Sequence, residues 1–235
     1  MKKIALIISL VAFFALGGNA QSKSFKYGLK LGPTFNWVSA GSTVVGNEGL
    51  GMGLGLGVVT DYCYSSHIAL SSGLNFNLMR MKYHFMDLRA SENFLEESAV
   101  SVRRVLSAKS VSVPLKFKLR VDVMDSWRAF VEVGADLGLN LTDRAKDEFK
   151  YDFTDSNGLD YIDVNYEDYR YQYRRFQAAL DFGLGAEFEV NSKLSLFAQL
   201  TFNHAFVNAF TREMERKTGS IVYNNFIGLE IGFLH

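Results

Sequence analysis

The chain has 235 residues with 25 basic and 25 acidic side chains, so no net charge draws it toward nucleic acid. One cysteine excludes a disulfide framework and a thiolate zinc centre, and the length is that of a single domain. Twenty glycines and two prolines beside 14% aromatic residues match neither a collagenous nor a disordered composition.

Residues 1–20 read as an export signal. Lys2 and Lys3 give a basic start, 5–16 is an almost unbroken apolar run, and Gly18-Asn19-Ala20 supplies small residues for cleavage after Ala20. The run is shorter than the roughly 20 residues that cross a bilayer as a helix. The mature chain is expected to be one domain, 21–235, with no lipid anchor because no cysteine follows the cut. No later segment holds 18 consecutive apolar residues, so insertion into a membrane would have to use strands.

Beyond the signal the hydrophobic period is two, the mark of strands with two unlike faces. Eight such segments follow in order: 25–37, 50–58, 68–78, 110–121, 127–140, 176–189, 194–206 and 223–233. In the first, Phe25, Tyr27, Leu29, Leu31, Phe35 and Trp37 alternate with Lys26, Gly28, Lys30, Gly32, Thr34 and Asn36. In the second, Met52, Leu54, Leu56 and Val58 are set against four glycines. The fourth sets Val113, Leu115, Phe117 and Leu119 against Lys116, Lys118 and Arg120, and the others repeat the scheme. Most runs reach the roughly 9–11 residues of a tilted membrane strand, whereas globular strands average about 5–6. Connections alternate: 38–49 is long, 59–66 short, 81–109 long, 122–126 short, 141–171 long and 191–193 short. That rhythm predicts an eight-stranded antiparallel up-and-down transmembrane β-barrel with both termini on the short-turn side. Parity in the last short connection predicts a three-residue turn, Asn191-Ser192-Lys193, with Val190 opposite Leu194.

Alternation does not say which face points inward, and a soluble barrel would enclose its apolar face around a ligand. Glycine placement argues for apolar side chains outward. Thirteen of the 20 glycines fall in the segments, all on the polar face. The lumen of eight strands is so narrow that side chains just fill it, and glycines there make room for charged neighbours. Aromatic residues cluster at strand ends as two girdles: Tyr27, Trp127, Phe188 and Phe233 at one rim, Trp37, Phe202 and Tyr223 at the other. Pro33 and Pro114 fall inside strands, where a missing N–H predicts a bulge or a break in the ladder.

Phe25-Lys26-Tyr27-Gly28-Leu29-Lys30-Leu31-Gly32 resembles the opening strand of PorT-like outer-membrane β-barrel proteins, a group akin to the small OmpA/OmpX-like barrels. Val111-Ser112-Val113-Pro114-Leu115-Lys116-Phe117-Lys118 is similar to an internal strand of that group, with a proline in the same place. Gly228-Leu229-Glu230-Ile231-Gly232-Phe233 is similar to the terminal strand read by barrel-insertion machinery. It departs at Phe226, where a polar residue is usual, and in ending with Leu234-His235. The resemblance implies an eight-stranded outer-membrane barrel, and its namesake serves type IX protein secretion.

On the predicted lumen face, Lys26, Lys30, Lys116, Lys118, Arg120 and Arg128 stand against Glu132, Asp136, Asp181, Glu187, Glu189 and Glu230. Lys116 is expected to face Glu132 across the fourth and fifth strands. A balanced network suits a nearly dry interior, because an unpaired buried charge is costly. It reads first as a plug and second as a gated proton or ion path, eight strands being too few for a porin-sized channel. The loop 142–170 is acidic and tyrosine-rich, which reads as a solvated loop or a protein-contact surface. Its Asp152, Asp155, Asn157, Gly158 and Asp160 miss the EF-hand spacing, so no metal site is assigned. His204 has lipid-facing parity near the outer end of its strand, and Cys63 is placed in a turn as an incidental thiol.

The function expected from all this is non-enzymatic, without cofactor or metal, in the outer membrane of a Gram-negative cell. The barrel would contact outer-membrane lipid and the barrel-insertion machinery, and would assist protein secretion or envelope integrity through protein contacts, with secretion-system components as partners. A surface adhesin acting through the long loops and a lipid-modifying enzyme using His204 stand as alternatives.

Overall fold

A computed structural model of the protein describes residues 24–41, 45–86, 101–150, 153–154, 160–161, 164–170, 173–212, 215–216 and 220–235. The expected signal 1–20, the mature start at Gln21 and the aspartate cluster 152–160 apart from its short strand residues lie outside the described residues. Eight long strands make the described fold: β1 Ser24–Ala40, β2 Gly51–Cys63, β3 Ile68–Met86, β4 Ser101–Met124, β5 Trp127–Lys150, β6 Phe176–Asn191, β7 Leu194–Ala205 and β8 Val222–Leu234. Each pairs antiparallel with the next, and β8 pairs back onto β1, so the eight strands close into a barrel.

The register fixes the shape. Paired residues followed once around the barrel run Tyr27, Thr60, Ser72, Leu115, Ala135, Leu180, His204, Asn225 and back to β1 at Trp37. The row therefore climbs ten residues of β1 in one circuit. At roughly 3.3 Å per residue and a tilt of about 40°, Tyr27 and Trp37 stand roughly 25 Å apart in height. That is the thickness of an outer-membrane barrel's apolar band, and these two residues are the lower and upper girdle aromatics of the same strand.

The molecule is inside out relative to a soluble protein. Leu54, Val131, Leu184 and Leu229 are exposed on the outer face, while Lys118, Glu187 and Asp61 are almost completely buried in the lumen. Such a surface is stable only against acyl chains, because contiguous exposed apolar area on this scale is not tolerated in water. The short turns at 64–67, 125–126 and 192–193 lie at the end that holds both termini, where Tyr27 and His235 exchange backbone hydrogen bonds of 3.0 and 2.7 Å. Pro33 interrupts the β1–β8 ladder between Leu31 and Thr34 without shifting register. Pro114 lies in a similar gap between β3 and β4, where the Ser72 hydroxyl donates to its carbonyl at 2.9 Å.

Three expectations are corrected here. The last hairpin pairs Asn191, not Val190, with Leu194; a bulge between Glu189 and Asn191 preserves the parity that a three-residue turn was expected to supply. The Asn191 side chain accepts the N–H groups of Lys193 and Leu194 at 2.9 Å, which makes the tighter turn stable. The connection expected at 59–66 is mostly strand, since β2 continues to Cys63. The stretches 81–109 and 141–171 are also largely strand: β3 runs up to Met86, β4 starts at Ser101 and β5 reaches Lys150, with Val164–Arg170 added beside it.

These upper stretches keep the period of two but reverse its sense. Below Leu78 the even positions of β3, Ser72 apart, are apolar and face out; above it Met79, Met81, Tyr83 and Phe85 are apolar and buried inside, while Arg80, Lys82 and His84 face out. The same reversal falls in β4, where Leu106 and Ala108 point in and Ser107 and Lys109 point out. The solvent outside the wall changes from lipid to water at that height, and the chain changes with it.

Candidate functional site

The lumen is stacked in three layers. Nearest the short turns lies the charged one. Lys118 Nζ is 2.5 Å from Glu187, 3.0 Å from Asp61 and 3.5 Å from Glu132. Arg120 joins two of these three carboxylates, with Nε 3.1 Å from Glu187 and Nη2 in contact with Asp61. Lys116 is 2.6 Å from Glu132 and 3.5 Å from Asp181. Lys30 binds both oxygens of Glu230 at 3.0 and 3.1 Å, and Gln199 donates to the same carboxylate. Adjacent strands place these groups: Lys118 is directly opposite Glu132 in the β4–β5 ladder, and Lys116 reaches Glu132 diagonally from two residues away. The network stands because every cation has at least one carboxylate within reach; a lone buried ion would cost several kcal/mol.

Within this layer two aromatic rings occupy space that glycine opens. Lys118 Nζ lies 4.1 Å from the centroid of Phe130, which meets Phe197 edge-on at 6.5 Å. A Cβ on Gly185 would come within 2.4 Å of Phe130 Cζ, and one on Gly232 within 2.6 Å of Phe197 Cζ. The glycines of the polar face thus admit rings as well as charges. Val59 and Leu234 complete a small apolar cluster with these rings.

Above the charges comes an amide layer of Asn36, Asn77, Gln177, Asn203 and Asn224 with Asp136 at its floor, around a cavity of about 20 Å³. That is room for about one water molecule. The uppermost layer is apolar. Met79, Met81, Tyr83, Phe85 and Leu106 pack against Phe210 and Tyr173, two residues from the connections that close the top. Tyr173 forms a bridge with Phe210, and its hydroxyl donates to Asn224 at 2.7 Å, tying the cap to the amide layer.

Of the residues expected in the lumen network, Lys30, Lys116, Lys118, Arg120, Glu132, Asp181, Glu187 and Glu230 are brought together, and Asp136 is buried above them. Arg128 is a correction. It stands at the turn-side mouth, half-buried, and pairs there with Glu189 of the expected set at 2.8 Å and with Asp122 at 2.9 Å, apart from the deeply buried carboxylates. Lys26 is likewise only half-buried. Asp61 was missed although it is fully buried and holds both Lys118 and Arg120. Its signal was parity, since 61 continues the inward odd positions of β2. Cys63 is not in a turn but ends β2 inside the lumen, where Arg120 Nη1 approaches its Sγ at 3.4 Å. Among the described residues the buried interior below the cap holds Lys30, Lys116, Lys118 and Arg120 against Asp61, Glu132, Asp136, Asp181, Glu187 and Glu230.

The girdle residues face outward at both rims. Trp127 and Phe188 lie 5.0 Å apart and Tyr27 stacks edge-on with His235 at 5.6 Å; Phe233 is exposed at the same end. At the other rim Trp37 lies 6.2 Å from Phe202, and Tyr223 lies 6.2 Å from His204. His204 is held by Asn225, with Nδ1 2.5 Å from Oδ1. Among the described residues no three His, Cys, Asp or Glu side chains are grouped to hold a metal ion.

Residues 19–211 match the sequence model of a family described as outer membrane protein beta-barrel domain. No curated protein matches the chain. Among solved structures, Neisserial surface protein A is similar at 11% identity, over 90% of this chain and 98% of that one, with a TM-score of 0.37. OprG from Pseudomonas aeruginosa is similar at 9% identity, over 91% and 97%, with a TM-score of 0.39. The N-terminal barrel of OprF from the same organism is similar at 10% identity, over 92% and 100%, with a TM-score of 0.37.

Proposed function

Because this chain belongs to the outer-membrane protein β-barrel domain family and resides in the outer membrane, we propose that it acts there as a sealed, non-enzymatic barrel whose working parts are its surfaces. In this reading it assists protein secretion or envelope integrity through protein contacts, as the PorT-like opening and internal strands suggest, with secretion-system components as partners and the barrel-insertion machinery as its route into the membrane. The filled lumen is the observation that carries the reading. Lys118, Glu187 and Phe130 are buried across the bore, Met81 and Phe210 are buried above them, and the space between accepts about one water. A solute or hydrated ion would have to break several buried ion pairs to pass.

The strands that rise above the upper girdle support the second half of the proposal. β3, β4 and β5 carry a wall of sheet beyond the apolar band, a platform for contacts outside the membrane. Two measurements test the reading. Purified protein in planar bilayers should give no conductance steps; stable steps would refute the sealed barrel. Deleting the gene should impair export or raise envelope permeability, and crosslinked partners should include export components. A deletion strain with normal export and normal permeability would refute the role while leaving the sealed barrel standing.

A further inference from the structure

The outer face of the sheet where β3, β4 and β5 leave the apolar band is basic. Arg80, Ser107 and Arg144 are direct neighbours in one row across the three strands, and Lys82, Val105 and Lys146 form the row above. Lys109 lies two residues below Ser107 on the middle strand. Arg80, Lys109, Arg144 and Lys146 are exposed, and Lys82 is half-buried. Directly below, the same outward face is Leu78, Val111 and Leu139, so the patch is continuous with the surface that meets acyl chains.

Height decides what the patch can touch. With ~3.3 Å per residue and a tilt of about 40°, Lys109 and Arg80 fall within about 2 Å of the Trp37 level, and Arg144 roughly 7 Å above it. Trp37 marks the upper edge of the hydrocarbon band, so these cations stand where lipid headgroups begin. Around the rest of this rim the outward positions are the uncharged Trp37, Tyr223, Phe206 and Phe176, with the exposed Arg175 only at the patch's border. Higher up, Glu48 is engaged by Arg103 at 2.5 Å and His84 at 3.3 Å, and Glu148 falls opposite Arg103 in register. In register, Asp168 falls beside Lys146, which leaves Arg80, Lys109 and Arg144 as the heart of the patch.

We infer that this face is a docking site for the phosphate groups of an outer-leaflet lipid, clasped between Arg80 and Arg144 over Ser107 with Lys109 beneath. The two arginines are two strand spacings apart, roughly 10 Å, and the serine between them is shorter than either. Guanidinium groups bind phosphate oxygens in pairs, and a lipid whose chains lie on Leu78, Val111 and Leu139 presents its headgroup at this height. The inference is independent of any secretion role, because it concerns the wall and not a protein partner.

The test uses the full mature chain in uncharged detergent micelles, with thermal unfolding read by gel mobility. Adding diphosphorylated lipid A should raise the midpoint in a concentration-dependent way, as a ligand of the folded state must. Lipid A stripped of both phosphates should give less than a third of that rise, and inorganic phosphate alone almost none. Arg80→Gln/Lys109→Gln/Arg144→Gln should abolish the phosphate-dependent part, whereas Lys193→Gln/Arg216→Gln, which removes two exposed cations elsewhere, should preserve it. Equal rises with phosphorylated and stripped lipid, an undiminished rise in the triple variant, or loss in the control variant would each overturn the site. An equal rise from inorganic phosphate would overturn the assignment to lipid. Should the triple variant fail to fold, Arg144→Gln alone must lower the apparent affinity at least threefold.

Discussion

Lys118→Met replaces the central cation of the lumen with a side chain of similar length and no charge. The ammonium it removes lies 2.5 to 3.5 Å from Glu187, Asp61 and Glu132 and over the ring of Phe130. Breaking a buried ion pair by deleting one partner costs about 3–5 kcal/mol. The lower end applies here because each carboxylate keeps a second cation: Arg120 for Asp61 and Glu187, Lys116 for Glu132. A loss of about 3 kcal/mol is therefore expected. Lys118→Met/Glu187→Gln removes one charge of each sign, and replacing a buried pair outright is often near neutral. The double variant should regain most of the loss, a coupling of about 2 kcal/mol in a double-mutant cycle. Urea unfolding from lipid vesicles, followed by the fluorescence of Trp37 and Trp127 and by gel mobility, measures both quantities. If the single variant changes stability by less than about 0.5 kcal/mol, the size usual for surface changes, and coupling is absent, Lys118 fills space without charge-pairing and the argument for the network fails.

Other expectations follow from the same geometry. Leu229 is exposed in a row with Leu200, Leu184 and Val131 and, at ~3.3 Å per residue and a tilt of about 40°, stands about 12 Å above Tyr27, near the middle of the apolar band. Leu229→Arg should therefore cost about 2–4 kcal/mol in the same unfolding assay. A negligible cost would put this face in contact with something other than lipid. Gly185→Val places a side chain where a Cβ already meets Phe130 Cζ at 2.4 Å and the Ala198 carbonyl oxygen at 2.5 Å. Folding yield should fall sharply, and the backbone contact means Phe130→Ala should restore only part of it; full restoration would show that the ring alone sets the glycine. Cys63 is buried beneath Arg120, so a maleimide should label it slowly in the folded barrel and rapidly in urea. Fast labelling of the folded protein would mean that the turn-side mouth is open.

How far the fold is legible differs from strand to strand. β1 announces itself because Tyr27 to Trp37 alternate without a fault and lipid lies against the whole length. β2 reads only as far as Val58, since Val58-Val59 breaks the alternation; the break hid Asp61, although the ladder continues through Thr60↔Ser72 and Asp61↔Ser71. The upper halves of β3 and β4 went unread for a different reason. Their alternation is intact, but its sense inverts where the outer solvent changes, and a search for one apolar parity stops at the inversion. Lys116 and Glu132 were foreseeable from a short turn and matched parity. Arg128 was assigned to the same network on parity alone, yet parity says which face a side chain takes and not how deep it sits. The turn-side mouth gave it water and two nearer partners.

Chain alternation, strand length, glycine parity and the rhythm of long and short connections were by themselves sufficient for a closed eight-stranded barrel with apolar residues outward, because those properties are local and repeat along the chain. Which cation meets which carboxylate, that Phe130 and Phe197 enter over Gly185 and Gly232, and that Arg80, Lys109 and Arg144 gather on one patch at the headgroup level were decided only by the tertiary structure. Those juxtapositions depend on the ten-residue climb of the register around the barrel. That climb is a property of closure, shared among eight ladders, and no single strand encodes it.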